Sequence, residues 1–276
     1  AKGIMTQTSN GFTVEENASA AGNVNGDGNS MVCWQWKGSG QGTGVGTDVA
    51  ESGNNPGFKR QTNATAGLSI ILYTGTGAVG TIAHGLNSAP KFMMIKSGPT
   101  TDPWAVYYGD ATDYLVLNDE AATVDSAAWW NDTAPTSSVF TVATDHSVNE
   151  NAKSYIAYVW AEVQGFSKIG TYTGNGNASG RMIATGFKPA WVMIKKYTTS
   201  ADSWVILDNK RDPDNVASGR LFPDLANAES TSTDMVDFLS NGFKLRTSGS
   251  AYNGSGVGYI YMAFAENPFV TSTGIP

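Results

Sequence analysis

The sequence predicts an all-β chain of tandem antiparallel β-sandwich modules, jelly-roll or lectin-like, and three observations carry that prediction. Short runs rich in Val, Ile, Thr, Tyr, Phe and Trp alternate with Gly, Asn, Asp and Ser turns. Helical periodicity is weak, and only Asp234-Met-Val-Asp-Phe-Leu239 reads as a short helical turn. The chain also repeats itself: Tyr73-Thr-Gly-Thr-Gly77 returns as Tyr172-Thr-Gly-Asn-Gly176, roughly 100 residues later.

Taken in order, residues 1–37 read as the closing half of a module. Asn10-Gly-Phe-Thr-Val14 matches Asn241-Gly-Phe-Lys-Leu245, and Met31-Val-Cys-Trp-Gln-Trp36 matches the strands that close the later units. The expectation is a chain that begins inside a repeat, either because its parent is longer or because the structural unit is offset from the sequence repeat. Residues 38–66, opening with Gly38-Ser-Gly-Gln-Gly-Thr-Gly-Val-Gly46, read as a Gly-rich and polar linker. Residues 67–165 form the first complete module, with strands led by Phe92-Met-Met-Ile-Lys96, Trp104-Ala-Val-Tyr-Tyr108, Phe140-Thr-Val142 and Tyr155-Ile-Ala-Tyr-Val-Trp-Ala161. Residues 166–276 form the second, with Trp191-Val-Met-Ile-Lys195, Trp204-Val-Ile-Leu-Asp208, Phe243-Lys-Leu245 and Tyr259-Ile-Tyr-Met-Ala-Phe-Ala265 in the same order. The junction Glu162-Val-Gln-Gly165 is short, which predicts close packing of these two modules. Both faces of each closing strand are largely apolar, as in a central strand covered on both sides.

Composition removes several function classes. Lys and Arg number 17 against 24 Asp and Glu, so no basic surplus is present to meet a nucleic-acid backbone. The single Cys33 forms no internal disulfide, and with only His84 and His146 a Cys/His zinc site is not expected. No apolar run approaches the roughly 20 residues of a membrane span, so membrane insertion is not expected.

At Ser69-Ile-Ile-Leu-Tyr-Thr-Gly-Thr-Gly77, His84-Gly-Leu86 and Ala89-Pro90 the chain resembles repeat modules of marine tailed-phage virion proteins. These modules are described as tail-fibre-like or concanavalin A-like (lectin/glucanase) domains. The likeness continues through Asn131-Asp-Thr-Ala-Pro-Thr-Ser-Ser-Val-Phe-Thr-Val142, Phe187-Lys-Pro-Ala-Trp-Val-Met-Ile-Lys195 and Tyr259-Ile-Tyr-Met-Ala-Phe-Ala-Glu-Asn-Pro-Phe269. It implies a bacteriophage structural protein on the virion surface, of tail fibre or appendage type, acting in assembly or host adhesion. Its implied partners are other virion proteins, further copies of itself and a host-surface glycan. The alternatives are a capsid decoration or scaffold protein without a ligand, and a glycan depolymerase. The resemblance supplies no catalytic residues.

Catalysis finds little footing in the residues. Retaining glycoside hydrolysis needs two carboxyl groups about 5–5.5 Å apart, and glucanases of this fold resemble one another in a Glu-x-Asp-x-Glu strand that is missing here. Glu162 and Glu266 occupy matching positions just past the two closing strands, which fits module architecture better than one active site. There is no Gly-x-Ser-x-Gly elbow, and His84 reads as a surface or turn residue. Cys33 reads as a buried small hydrophobe on its strand. The chain is therefore expected not to be an enzyme. For carbohydrate binding, Trp129-Trp130 stands out, because no matching pair exists in the second module and adjacent strand residues point to opposite faces. Tyr107, Tyr108 and Tyr114 are its companions. Asp208, Asp212 and Asp214, within Asp208-Asn-Lys-Arg-Asp-Pro-Asp-Asn215, gather hard oxygen donors of the kind Ca²⁺ takes, although Asp and Asn also populate turns for backbone reasons.

Overall fold

The computed structural model describes residues 4–8, 11–14, 28, 30–38, 46–98, 100–199 and 202–268. β1 (Ile4–Thr8) and β2 (Gly11–Val14) form a hairpin. Module 1 then runs through β3 (Asp48–Val49), β4 (Phe58–Asn63), β5 (Leu68–Thr74), β6 (Gly80–Ala83), β7 (Phe92–Ser97) and β8 (Ala105–Tyr107). It continues with β9 (Asp113–Val116), β10 (Val124–Asp125), α1 (Ala127–Trp130), β11 (Val139–Val142), α2 (His146–Asn149) and β12 (Ser154–Trp160). Module 2 holds β13 (Ser167–Thr173), β14 (Met182–Ala184), β15 (Pro189–Lys196) and β16 (Val205–Asp208). It ends with β17 (Val236–Leu239), β18 (Gly242–Leu245), α3 (Ser250–Asn253) and β19 (Gly258–Ala265). The strand pairings of these sheets are antiparallel, and no helix among the described residues is long and apolar enough to cross a membrane.

The strands build four layers. An eight-stranded sheet, in the order β10-β9-β8-β7-β12-β5-β4-β3, is covered on one face by the β6–β11 pair with α1 and α2. A four-stranded sheet, β13-β19-β15-β16, is covered by β14-β18-β17 and α3. The two large sheets then press their remaining faces together around Phe92, Val106, Leu115, Trp160, Trp191, Met193, Trp204 and Ile260. This explains the apolar alternation on both faces of the closing strands: Tyr155, Ala157 and Val159 fill the core of module 1, while Trp160 enters the layer shared with module 2.

The copies superpose in hydrogen bonding as well as in sequence. Tyr73 stacks on Tyr155 at 5.0 Å, and Tyr172 on Tyr259 at 4.9 Å. Tyr73 donates to the Val148 carbonyl and Tyr172 to the Tyr252 carbonyl. Tyr155 and Tyr259 donate to the carbonyls of His146 and Ser250. The Tyr-Thr-Gly-x-Gly turn follows from this crowding. A Cβ on Gly75 or Gly174 would lie 2.2 or 2.3 Å from a carbonyl oxygen, and Gly77 and Gly176 hold φ of +72° and +65°.

Three expectations change. Part of the expected linker at 38–66 is sheet: β4 pairs with β5 along its whole length and β3 follows at the edge. Its polarity hides it, because Arg60 donates to the Ala83 carbonyl and Thr62 to that of His84 where an apolar residue would be expected to pack. Residues 39–45 lie outside the described residues. Within Asp234–Leu239, Val236–Leu239 forms strand β17 rather than a helical turn, since Val236 and Phe238 enter the core and Asp237 pairs with Arg246. Met31–Trp36 forms no strand ladder, and Cys33 is exposed rather than buried.

Candidate functional site

The aromatic group expected to face a ligand lies in the interior. Trp129 and Trp130 sit on a single helical turn capped by Ser126, so strand alternation does not apply, and they are 5% and 1% exposed. Trp129 stacks on Tyr114 at 3.7 Å, and Trp130 meets Tyr107 edge-on at 5.9 Å. Tyr108 faces away from this group and packs on Tyr197 of module 2 at 5.5 Å. Burial pushes the Tyr107 phenol up to about 12 and raises that of Tyr108 as well. The helix explains why module 2 has no Trp pair. Ala143 N–H donates to the Trp129 carbonyl as Arg246 N–H donates to that of Met235, so α1 stands where module 2 places the start of β17.

The acidic turn does not assemble a cation site. Asp208, 3% exposed, accepts from the backbone N–H groups of Lys210 and Arg211, from Arg211 Nε at 2.7 Å and from Trp34 Nε1 at 3.2 Å. Burial pushes this carboxyl up, but the hydrogen bonds and charge of Arg211 outweigh it, and the pKa lies below the ordinary value. Asp212 accepts from Ser218 and Gly219 N–H, while Asp214 is exposed. Among the described residues no three His, Cys, Asp or Glu side chains group to hold a metal.

His84 is a turn residue but not a surface one. It is fully buried, its Nδ1 accepts from Leu86 N–H, and its Nε2 lies 3.2 Å from the Thr136 carbonyl. The neutral Nε2–H tautomer satisfies both, and burial lowers its pKa. In module 2 Thr185 takes this place, accepting from Phe187 N–H. Glu162 pairs with Lys168 at 3.0 Å and caps Ile169 N–H, while Glu266 pairs with Lys188 at 2.9 Å. A polar hollow of about 400 Å³ opens beside Glu162, Lys168 and Thr185, with Glu162 the one carboxylate in its lining.

Three features were not singled out from the sequence. Asn149 and Asn253, both fully buried, each tie the opening turn of their module to its closing half. Asn149 accepts from Thr76 N–H and donates to the carbonyls of Ala78 and Ala143. Asn253 accepts from Asn175 N–H and donates to those of Asn177 and Thr247. Their signal was the fixed spacing to Tyr155 and Tyr259. Lys195, fully buried at the module junction, donates to the carbonyls of Glu120 and Asp202, both at 2.6 Å, and burial lowers its pKa to about 8. Last, the layer between the large sheets opens into an apolar cleft of about 300 Å³, lined chiefly by Trp34, Trp36, Trp104, Tyr158, Trp160 and Trp191. Trp36 meets Trp191 edge-on at 5.4 Å and Trp104 stacks on Tyr158 at 6.4 Å, so rings form both walls.

Over residues 1–268 the chain matches the family described as a domain of unknown function (DUF7483), and it belongs to that family. No curated protein and no solved structure matches it.

Proposed function

We propose that this chain is a non-enzymatic structural protein of a tailed-phage virion, working in particle assembly through contacts with other virion proteins and with further copies of itself. The observation that carries this reading is where the buried polar side chains go. Asn149, Asn253, Lys195, Asp208 and His84 each hold main-chain groups in place, within four layers that share their cores. That construction favours a rigid body that presents surfaces. The virion setting is supported by the resemblance at Ser69–Gly77, Asn131–Val142 and Tyr259–Phe269.

Adhesion to a host-surface glycan has less support. A sugar needs hydrogen-bonding neighbours beside a stacking ring, and the aromatic cleft is lined by apolar and aromatic side chains. The cleft suits apolar protein side chains better. Immunogold labelling of intact particles, or the position of the chain in a particle map, tests the reading. Stable incorporation in every particle is the expected result. Absence from purified particles, or release of reducing sugar from host polysaccharide by the chain, would overturn it.

A further inference from the structure

The two modules differ along one seam. In module 1 the opening between β5 and β6 is closed by residues 52–63. β4 runs along β5, Arg60 donates to the Ala83 carbonyl at 2.7 Å, and Thr62 donates to that of His84. Just before β4, Asn55 accepts from Thr81 N–H at 2.8 Å. The fit is close: a Cβ on Gly80 would lie 2.1 Å from the Asn54 carbonyl oxygen, and one on Gly85 3.0 Å from Arg60 Nε. In module 2 the matching seam lies between β13 and β14. Among the described residues no strand closes it, for β13 pairs with β19 alone where β5 has both β12 and β4. Ala184 and Gly186, which stand for Ala83 and Gly85, are exposed, and no described atom lies within 4 Å of a Cβ placed on Gly186. Met182, which stands for Thr81, is 44% exposed. The polar hollow beside Glu162, Lys168 and Thr185 is this open seam.

The outer edge of β13 offers main-chain groups to such a strand. The Phe166 carbonyl accepts from Ala265 N–H and Gly174 N–H donates to the Val257 carbonyl, so the even-numbered residues between them turn toward β19. Ser167, Ile169, Thr171 and Thr173 therefore direct their main-chain groups outward, as Leu68, Ile70, Leu72 and Thr74 direct theirs toward β4. Ser167 N–H is held by the Val163 carbonyl and Ile169 N–H by Glu162, which shields that end of the edge. Thr171 and Thr173 are exposed, with no strand beside them among the described residues.

We propose that the seam between β13 and β14 is a strand-addition site for an extended segment of another polypeptide, with an arginine turned inward at the position of Arg60. That arginine meets the Ala184 carbonyl as Arg60 meets that of Ala83, and the Glu162 carboxylate in the same hollow is its charge partner. The next inward residue meets Lys168, which replaces Ser69, so an acceptor side chain such as the hydroxyl of Thr62 fits there. This chain does not supply the segment: no arginine lies outside the described residues, and β4 is held between β3 and β5. Main-chain pairing supplies affinity, and the two inward side chains supply register. The inference rests on the comparison of the modules and not on the virion reading.

The test titrates a fluorescent peptide copying residues 56–64, Pro-Gly-Phe-Lys-Arg-Gln-Thr-Asn-Ala, into the whole chain. Saturable one-to-one binding is expected, weakened at least ~10-fold when alanine replaces the arginine of the peptide. Hydrogen exchange at the Thr171 and Thr173 amides should slow at least ~10-fold at saturation. Glu162→Gln keeps an oxygen for Ile169 N–H, so the melting temperature should stay nearly unchanged while binding at low salt weakens about 5-fold. Absence of binding, or protection confined to β3–β5 of module 1, would overturn the proposal. So would binding that is indifferent both to the arginine of the peptide and to Glu162→Gln.

Discussion

Modules 1 and 2 spend the same residues on their centres and different ones on their flanks. Both hold a stacked tyrosine pair, a buried asparagine and a glycine turn, with the same donors meeting the same acceptors. Outside that knot they diverge. Trp204 is 1% exposed and donates to the Val116 carbonyl across the junction, whereas its counterpart Trp104 is half-buried at the wall of the cleft. Lys195 reaches across to Glu120, while Lys96 stays within its own loop, donating to the carbonyls of Thr100 and Asp102. Repetition in the sequence thus marks what each module needs for itself. Divergence marks how the two modules meet.

The sharpest way to break that comparison is to truncate the matched tryptophans. Trp204→Ala should cost about 3–5 kcal/mol by emptying the shared layer, and Trp104→Ala about 1–2 kcal/mol, measured by denaturant unfolding. Equal costs would mean that the junction contributes nothing beyond local packing. Next, Asn149→Ala and Asn253→Ala should each cost about 2–4 kcal/mol, since each leaves several buried main-chain groups without a partner. The two losses should agree closely, because the knots are the same.

Smaller effects separate the modules by pH. Tyr73→Phe and Tyr172→Phe should each cost about 1 kcal/mol at neutral pH. Burial raises both phenols well above their ordinary value, so the unfolded chain releases those protons first. Their contribution is intact below about pH 10 and is lost as pH rises beyond it. The phenylalanine variants should flatten that alkaline loss in melting experiments. The smallest effect belongs to His84→Thr, which installs the residue used by module 2. Burial lowers the His84 pKa, so the unfolded chain binds the proton first and stability falls as pH drops below about 6.5. His84→Thr should remove that acid-side slope from the melting temperature, while loss of the Thr136 contact and of ring volume costs about 1 kcal/mol at any pH.

Much of this fold was legible because strands buried on both faces write long apolar runs, as in Tyr155–Ala161 and Tyr259–Ala265. The repeat could be read because its knot depends on residue identity: Gly75 and Gly174 have no room for a side chain. Polar strands were not legible, and β4 disappears into a linker because its inward residues make hydrogen bonds instead of apolar contacts. Nor was the burial of Trp129 and Trp130, since one turn of helix leaves no period to detect and the partner ring, Tyr114, lies on a separate strand. The cleft could not be foreseen either. Its walls come from both modules and from Trp34 and Trp36, and only the stacking of the large sheets brings these together.

That stacking also sets the smallest piece into which the chain can be divided. Each large sheet has one face in its own module and one against its neighbour, so a cut between residues 165 and 166 would release two bodies with bared aromatic sheets. Such halves would stick to one another, or to anything similar, before behaving as soluble domains. The genetic unit is therefore one repeat, but the physical unit is a pair.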